Sequence, residues 1–165
     1  LDMNTFITHL KDENTELFIK KLPIALHFRI GDYKCTSFHP ILGIEYYTRA
    51  IHMLLENIPC LREKYYILYF FETQDKDVVC NTISKLSETF PDLEFRACDE
   101  NMEDWKQLLL MSLCSHNIIA NSTFSWWGGY FNTNPDKIVC YPNKWINIPN
   151  SLEDLFPKEW KQICI

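Results

Sequence analysis

Apolar positions along the chain follow two alternating rhythms. Residues 22–30 (LPIALHFRI) form a nearly continuous apolar run of strand length, and after them Ile44, Tyr47, Ile51, Leu54, Leu55 and Ile58 recur at helical spacing. A strand hands over to a helix. The pattern repeats with a strand over 65–71 and a helix carrying Val79, Ile83, Leu86 and Phe90 on one face, which stops near Pro91. Further strands are expected over 93–97, 117–120 and 137–141, with one helix over 105–114 and another opening after Asn121, Ser122 and Thr123. A helix over 6–20 precedes the series, and a tail over 157–163 closes it. Strands without a polar face, alternating with amphipathic helices, predict a parallel sheet covered on both sides. The expected fold class is a doubly wound α/β domain, undivided by linker or repeat over residues 1–165.

Composition narrows the partners. The 165 residues suffice for one core, and no apolar run approaches the roughly 18 residues of a membrane span. A net charge of −6, without a basic stripe interleaved with aromatics, argues against nucleic acid and leaves any anionic ligand to a few local groups. The seven cysteines are odd in number, scattered, and without C-x-x-C spacing. They predict reduced, mostly buried thiols and a cytoplasmic location, with neither a disulfide framework nor a zinc site. The chain begins at Leu1 and shows no signal peptide, so an N-terminal anchor in a longer chain stays open.

In an open parallel sheet, ligands bind beyond the carboxyl ends of the strands. The first strand ends in HFRIGDY, residues 27–33, where Arg29 can grip phosphate oxygens with two charge-assisted hydrogen bonds and Gly31 frees the turn. An ordinary surface arginine beside a core histidine, His27, is the plainer alternative. The second candidate is the polar knot Asn121, Ser122 and Thr123 in IIANSTFSWWGGYFN, residues 118–132. It lies between a strand and a helix, so its side chains can cap that helix while free N–H groups face an anion. Gly128 and Gly129 would let the helix approach its neighbours, and Trp126 and Trp127 would fill the core or wall a pocket. A capped core helix with aromatic filling is again the alternative.

HFRIGDY and LMSLCSHNIIANSTFSWWGGYFN, with NPDKIVCYPNKW and PKEW downstream, resemble the α-1,2-fucosyltransferases of glycosyltransferase family 11. The resemblance implies a Rossmann-like, GT-B-type domain that binds a nucleotide sugar. This segment would then be the C-terminal donor-binding half, with the N-terminal acceptor domain absent. It implies GDP-fucose as donor substrate, a glycan acceptor, and inverting transfer needing neither metal nor cofactor. Carried over by position, Arg29 holds the pyrophosphate with His27 as its companion. Ser122, Thr123, Phe124 and Ser125 line the diphosphate, with Asn121 beside them, and Asp32 and Tyr33 shape the loop. No residue stands out as the general base: Asp32 is one candidate, and the N-terminal half is an equal source.

Departures from the family pattern are Ile30 in place of a second arginine, Glu72 and Thr73 where Ser-Asp is usual, and Gln107 where an aspartate is common. The last three fall on the nucleotide side, so another base or sugar stays open. Asp75-Lys76-Asp77 offers a rival D-x-D metal site, against the plainer role of complementing a helix dipole. A non-catalytic nucleotide-sugar or glycan-binding module is the alternative from another class. A phosphoester hydrolase using His27 and Asp32 would lack a nucleophile.

Overall fold

The computed structural model describes residues 3–148, 152 and 154–165. The strands β1 (Leu22–His27), β2 (Tyr65–Phe70), β3 (Phe95–Ala97), β4 (His116–Ile118), β5 (Val139–Pro142) and β6 (Lys161–Ile163) form one sheet in the order β3-β2-β1-β4-β5-β6. Every pairing is parallel. The helices are α1 (Met3–Glu13), α2 (Ile44–Asn57), α3 (Leu61–Lys64), α4 (Lys76–Thr89), α5 (Asp104–Leu113) and α6 (Thr123–Phe131).

Two clusters sandwich the sheet, as strands buried on both faces require. Ile24, Leu26 and Ile67 point to a core shared with Tyr47, Ile51 and Leu54 of α2 and Val79 and Leu86 of α4. Ala25, Tyr66 and Leu68 point the other way, toward Leu10 of α1 and Leu109, Leu110 and Met111 of α5. A third cluster joins Ile119, Val139, Trp145, Phe156 and Trp160 near the β5–β6 edge. The chain runs outward from β1 in one direction and from β4 in the other, so the strand order reverses between these two neighbours. That reversal opens a crevice above their carboxyl ends.

Several expectations change in detail. β1 ends at His27, although Phe28 and Ile30 continue into the core, because apolar character reports burial and not ladder pairing. The first helix stops at Glu13, and a short 3-10 turn over Thr15–Phe18 follows. There the Asn14 side-chain amide donates to the Leu10 carbonyl at 2.8 Å, competing with helix continuation. The closing tail contains a sixth strand. All seven cysteines are free, but only Cys98, Cys114 and Cys140 are buried, while Cys35, Cys60, Cys80 and Cys164 are exposed. The expected burial fails because those four lie in turns, on a helix or beyond the last strand, where spacing alone gives no inward face. Burial pushes the Cys98 and Cys140 thiols up to about 12. No helix among the described residues is long and apolar enough to cross a membrane.

Candidate functional site

The two sequence motifs meet at the crevice. β1 and β4 pair directly, with Leu26 opposite Ile118, so the loops leaving them are neighbours. Two tyrosines of α2 brace these strand ends from beneath. Tyr46 donates its hydroxyl to the Ile119 carbonyl at 2.5 Å, and Tyr47 donates to the His27 carbonyl at 3.4 Å. Burial raises both hydroxyls above the ordinary phenol range, so they remain protonated donors.

A cleft of about 350 Å³ lies over the β1–β2 side of the crevice. His27 at the end of β1, Arg29 from the loop that follows and Phe124 from the first turn of α6 all line it, and the His27 and Phe124 rings lie 5.6 Å apart. Arg29 carries two carboxylates: Nη2 donates to Asp32 Oδ1 at 2.6 Å, and Nη1 donates to Glu72 Oε1. The guanidinium also lies over the Tyr33 ring, 5.2 Å from its centroid. Two of the five guanidinium N–H donors are thus already taken by carboxylate oxygens.

His27 is buried, and its Nδ1 has no hydrogen-bond partner. Burial first, and the neighbouring Arg29 charge second, lower its pKa to about 3. It is therefore a neutral ring near pH 7 and a weak base. Asp32 is exposed; Tyr33 is half-buried and donates its hydroxyl to the Asn121 carbonyl at 2.9 Å, which ties the two motifs together.

The polar knot divides by role. Ser122 caps α6, its Oγ accepting from the Phe124 N–H at 3.3 Å, and Thr123 stands exposed in the first turn. Asn121 is fully buried, its amide donating to the carbonyls of Pro40 at 3.0 Å and Trp145 at 3.1 Å. Ser125 is buried too, donating to the carbonyls of Ala120 at 3.4 Å and Ser122 at 3.3 Å. Asn121 and Ser125 are thus turned into the framework, while Phe124 faces the cleft. The tryptophan pair also divides. Trp126 packs on the third cluster and donates Nε1–H to the Leu155 carbonyl at 2.9 Å, whereas Trp127 is 43% exposed and fills no core.

Gly31 has no positive φ, so it does not serve the turn by conformational freedom as expected. A Cβ there would stand 2.7 Å from Glu72 Oε2, the end of a flexible side chain that can move aside, so crowding does not demand glycine either. Asp75, the first residue of the D-x-D run, is buried and accepts from the Gly31 N–H at 2.7 Å and from Lys34 Nζ at 2.6 Å. That carboxylate fastens the Arg29 loop to the start of α4, one oxygen taken by the Gly31 N–H and the other by Lys34. Sequence reasoning missed this anchor because its partners lie more than 40 positions away. Glu72, Thr73 and Gln107, the three departures on the nucleotide side, all line the cleft.

A parallel sheet of this order, with an arginine loop and a helix N-terminus at its reversal point, defines a doubly wound, Rossmann-like α/β domain. Solved structures agree. The ADP-heptose heptosyltransferase II of Escherichia coli superposes with a TM-score of 0.59 at 12% identity, over 100% of this chain and 44% of that one. A family 9 glycosyl transferase from Veillonella parvula gives 0.57 at 10% identity, over 98% and 40%. The family model described as glycosyl transferase family 11 matches residues 20–164, and the chain belongs to that family. The O-antigen biosynthesis glycosyltransferase WbnK of Escherichia coli is 35% identical over 129 residues, 73% of this chain and 38% of the relative. An α-1,2-colitosyltransferase of Escherichia coli is 29% identical over 150 residues, 85% and 47% respectively. The chain spans less than half the length of these curated relatives.

Proposed function

We propose that this domain binds a nucleoside diphosphate sugar, GDP-fucose by the family resemblance. It would then take part in inverting, metal-independent transfer of fucose to a galactoside hydroxyl in α-1,2 linkage. The observation that carries the reading is the convergence of Arg29 and the first turn of α6 on one cleft. In such a transfer the bond to the diphosphate is largely broken at the transition state, so the growing charge on the leaving phosphate is the main demand. A guanidinium and helix N–H groups held in place before reaction meet it, and one such donor is commonly worth about 3 kcal/mol. A diphosphate that takes Arg29 displaces the carboxylates now on it. Asp32, released in this way, is the proposed base for the acceptor proton. His27, with its low pKa, contributes shape and a polar ring edge and abstracts no proton. The name of one relative, an α-1,2-colitosyltransferase, supports the linkage.

A second reading, another nucleotide sugar, is favoured by Glu72, Thr73 and Gln107 lining the cleft. Calorimetry with GDP, UDP and their sugars separates the two. GDP is expected to bind and UDP not, and Arg29→Ala is expected to lower GDP affinity by about tenfold or more while leaving the thermal melt unchanged. Equal GDP binding by the variant removes the assigned role. Nucleotide binding with no transfer to any galactoside would leave a binding module.

A further inference from the structure

The cleft runs across three strand ends. Arg29 stands just beyond β1, Glu72 just beyond β2 and Glu100 just beyond β3, and all three line the same space of about 350 Å³. Those strands are adjacent in the sheet, so the backbone at the β1 and β3 ends is two strand spacings apart, about 10 Å. A phosphate at Arg29 therefore leaves the ribose over β2 and the base beside β3. His27 lines the phosphate end, and its buried Nδ1 has no hydrogen-bond partner. A buried polar atom left unpaired beside a cleft points to a bound molecule.

The two ends differ in charge. Arg29 supplies the positive charge at one, whereas the charged groups lining the β3 end are the carboxylates Glu100 and Asp104. Glu100 is the better held of these. Lys76, the first residue of α4, donates its Nζ to Glu100 Oε1 at 2.6 Å, and the Glu100 side chain is 26% exposed. Asp104 is exposed. The loop around Glu100 is fixed as well. The Asn101 N–H donates to Asp99 Oδ1 at 3.0 Å, the Met102 N–H donates to the Asp99 carbonyl at 3.1 Å, and Gln107 Nε2 donates to the Met102 carbonyl at 2.8 Å. A carboxylate has about four lone-pair sites on its two oxygens, so Glu100 can keep Lys76 and still accept two further hydrogen bonds without being reoriented.

We propose that Glu100 reads the base of the donor, accepting the N1–H and the exocyclic N2–H of a guanine laid across the ends of β2 and β3. The inference rests on the donor reading above and names the residue that selects its nucleotide. Guanine presents those two donors side by side, and a carboxylate meets them with two charge-assisted bonds. Uracil sets one N–H between two carbonyls, whose oxygens a carboxylate repels. Hypoxanthine keeps N1–H but lacks the amine, so it makes one of the two bonds. A site built to accept both donors rejects the base that lacks one. Lys76 touches no ligand and is a positioning residue for the carboxylate.

The test titrates GDP and inosine diphosphate by calorimetry into the whole chain, since the two differ by that single amine. The wild type is expected to hold GDP about tenfold or more tighter than inosine diphosphate. Glu100→Gln is expected to bring the two affinities within about twofold of each other, with a thermal melt like that of the wild type because the Lys76 pair it loses is partly solvated. Lys76→Met is expected to narrow the ratio without abolishing it. A purely structural role for Glu100 would shift the melt and leave the ratio alone. Equal affinities in the wild type, a ratio unchanged in Glu100→Gln, or a ratio that collapses only in Asp104→Asn overturns the assignment and leaves the phosphate role of Arg29 standing. Failure of the wild type to bind GDP overturns the donor reading and the base assignment with it.

Discussion

Asp75 accepts the backbone N–H of Gly31 at 2.7 Å, two residues beyond the arginine that faces the cleft. The second oxygen of the same buried carboxylate holds Lys34 at 2.6 Å. A loop between a strand and a helix is thereby fixed by a side chain from the next crossover. Asp75→Ala leaves the Gly31 N–H without its partner and is expected to cost about 1–3 kcal/mol, read from the urea midpoint. Asp75→Asn keeps an acceptor for that N–H and is expected to cost less. An equal loss in both would place the effect on the Lys34 pair.

Glu72 holds Arg29 in competition with any diphosphate. Glu72→Gln removes one of the two negative charges on the guanidinium, and because the pair is partly solvated its worth is about 0.2–1 kcal/mol. GDP affinity is therefore expected to rise by about 1.4- to fivefold at low salt, with the gain shrinking as salt rises. Calorimetry at two ionic strengths checks this, and weaker binding by the variant would show that Glu72 aims Arg29 and does not block it.

Gly128 lets α6 lie directly on α5. A Cβ there would stand 2.9 Å from Met111 Cβ, an atom fixed to its own backbone. Gly128→Ala is expected to destabilise by about 1–3 kcal/mol in a thermal melt. At Gly129 the nearest atoms are a Val139 methyl at 3.1 Å and the Trp160 ring at 3.3 Å, so Gly129→Ala should cost less. Equal melting temperatures for Gly128→Ala and wild type would contradict the close contact.

Acid should weaken the fold through two histidines. Burial lowers His27 to about 3 and His116 to about 4, and His116 Nδ1 accepts the Ile138 N–H at 3.0 Å. The native state keeps both rings neutral while the unfolded chain protonates them near 6.5. Unfolding therefore takes up protons, and stability falls as pH drops below about 6.5, by up to about 1.4 kcal/mol per unit for each ring. The His116 contribution ends near pH 4 and that of His27 near pH 3. Denaturant titrations between pH 7 and 5 should show a slope approaching two protons, and His116→Gln should remove one. A slope unchanged by that substitution would refute the buried neutral ring.

The alternation of strand and helix was legible because it rests on burial, which hydrophobic periodicity records directly. Ladder ends were not. β4 begins at His116 and β5 ends at Pro142, since backbone pairing, and not apolarity, sets those limits. β6 escaped notice because only Ile163 of its three residues is buried. At the site, Arg29, His27 and the Ser122 cap follow from residue type at a strand end. The Asp75 anchor, the Glu72 pair and the Lys76–Glu100 pair do not, because each joins segments whose approach only the finished sheet creates. Trp127 misled for a related reason: a large aromatic signals burial, yet its helix turns that position outward.

The last strand shields its neighbour. Lys161–Ile163 occupies the hydrogen-bonding edge of Val139–Pro142, and Trp160, just before it, seals the cluster beneath. A chain shortened to residue 159 would bare a row of unsatisfied amides and carbonyls beside exposed aromatic surface, an invitation for another molecule to add its own strand. Residues 160–165 thus cover that edge and its aromatic cluster, although they lie far from the arginine loop in sequence.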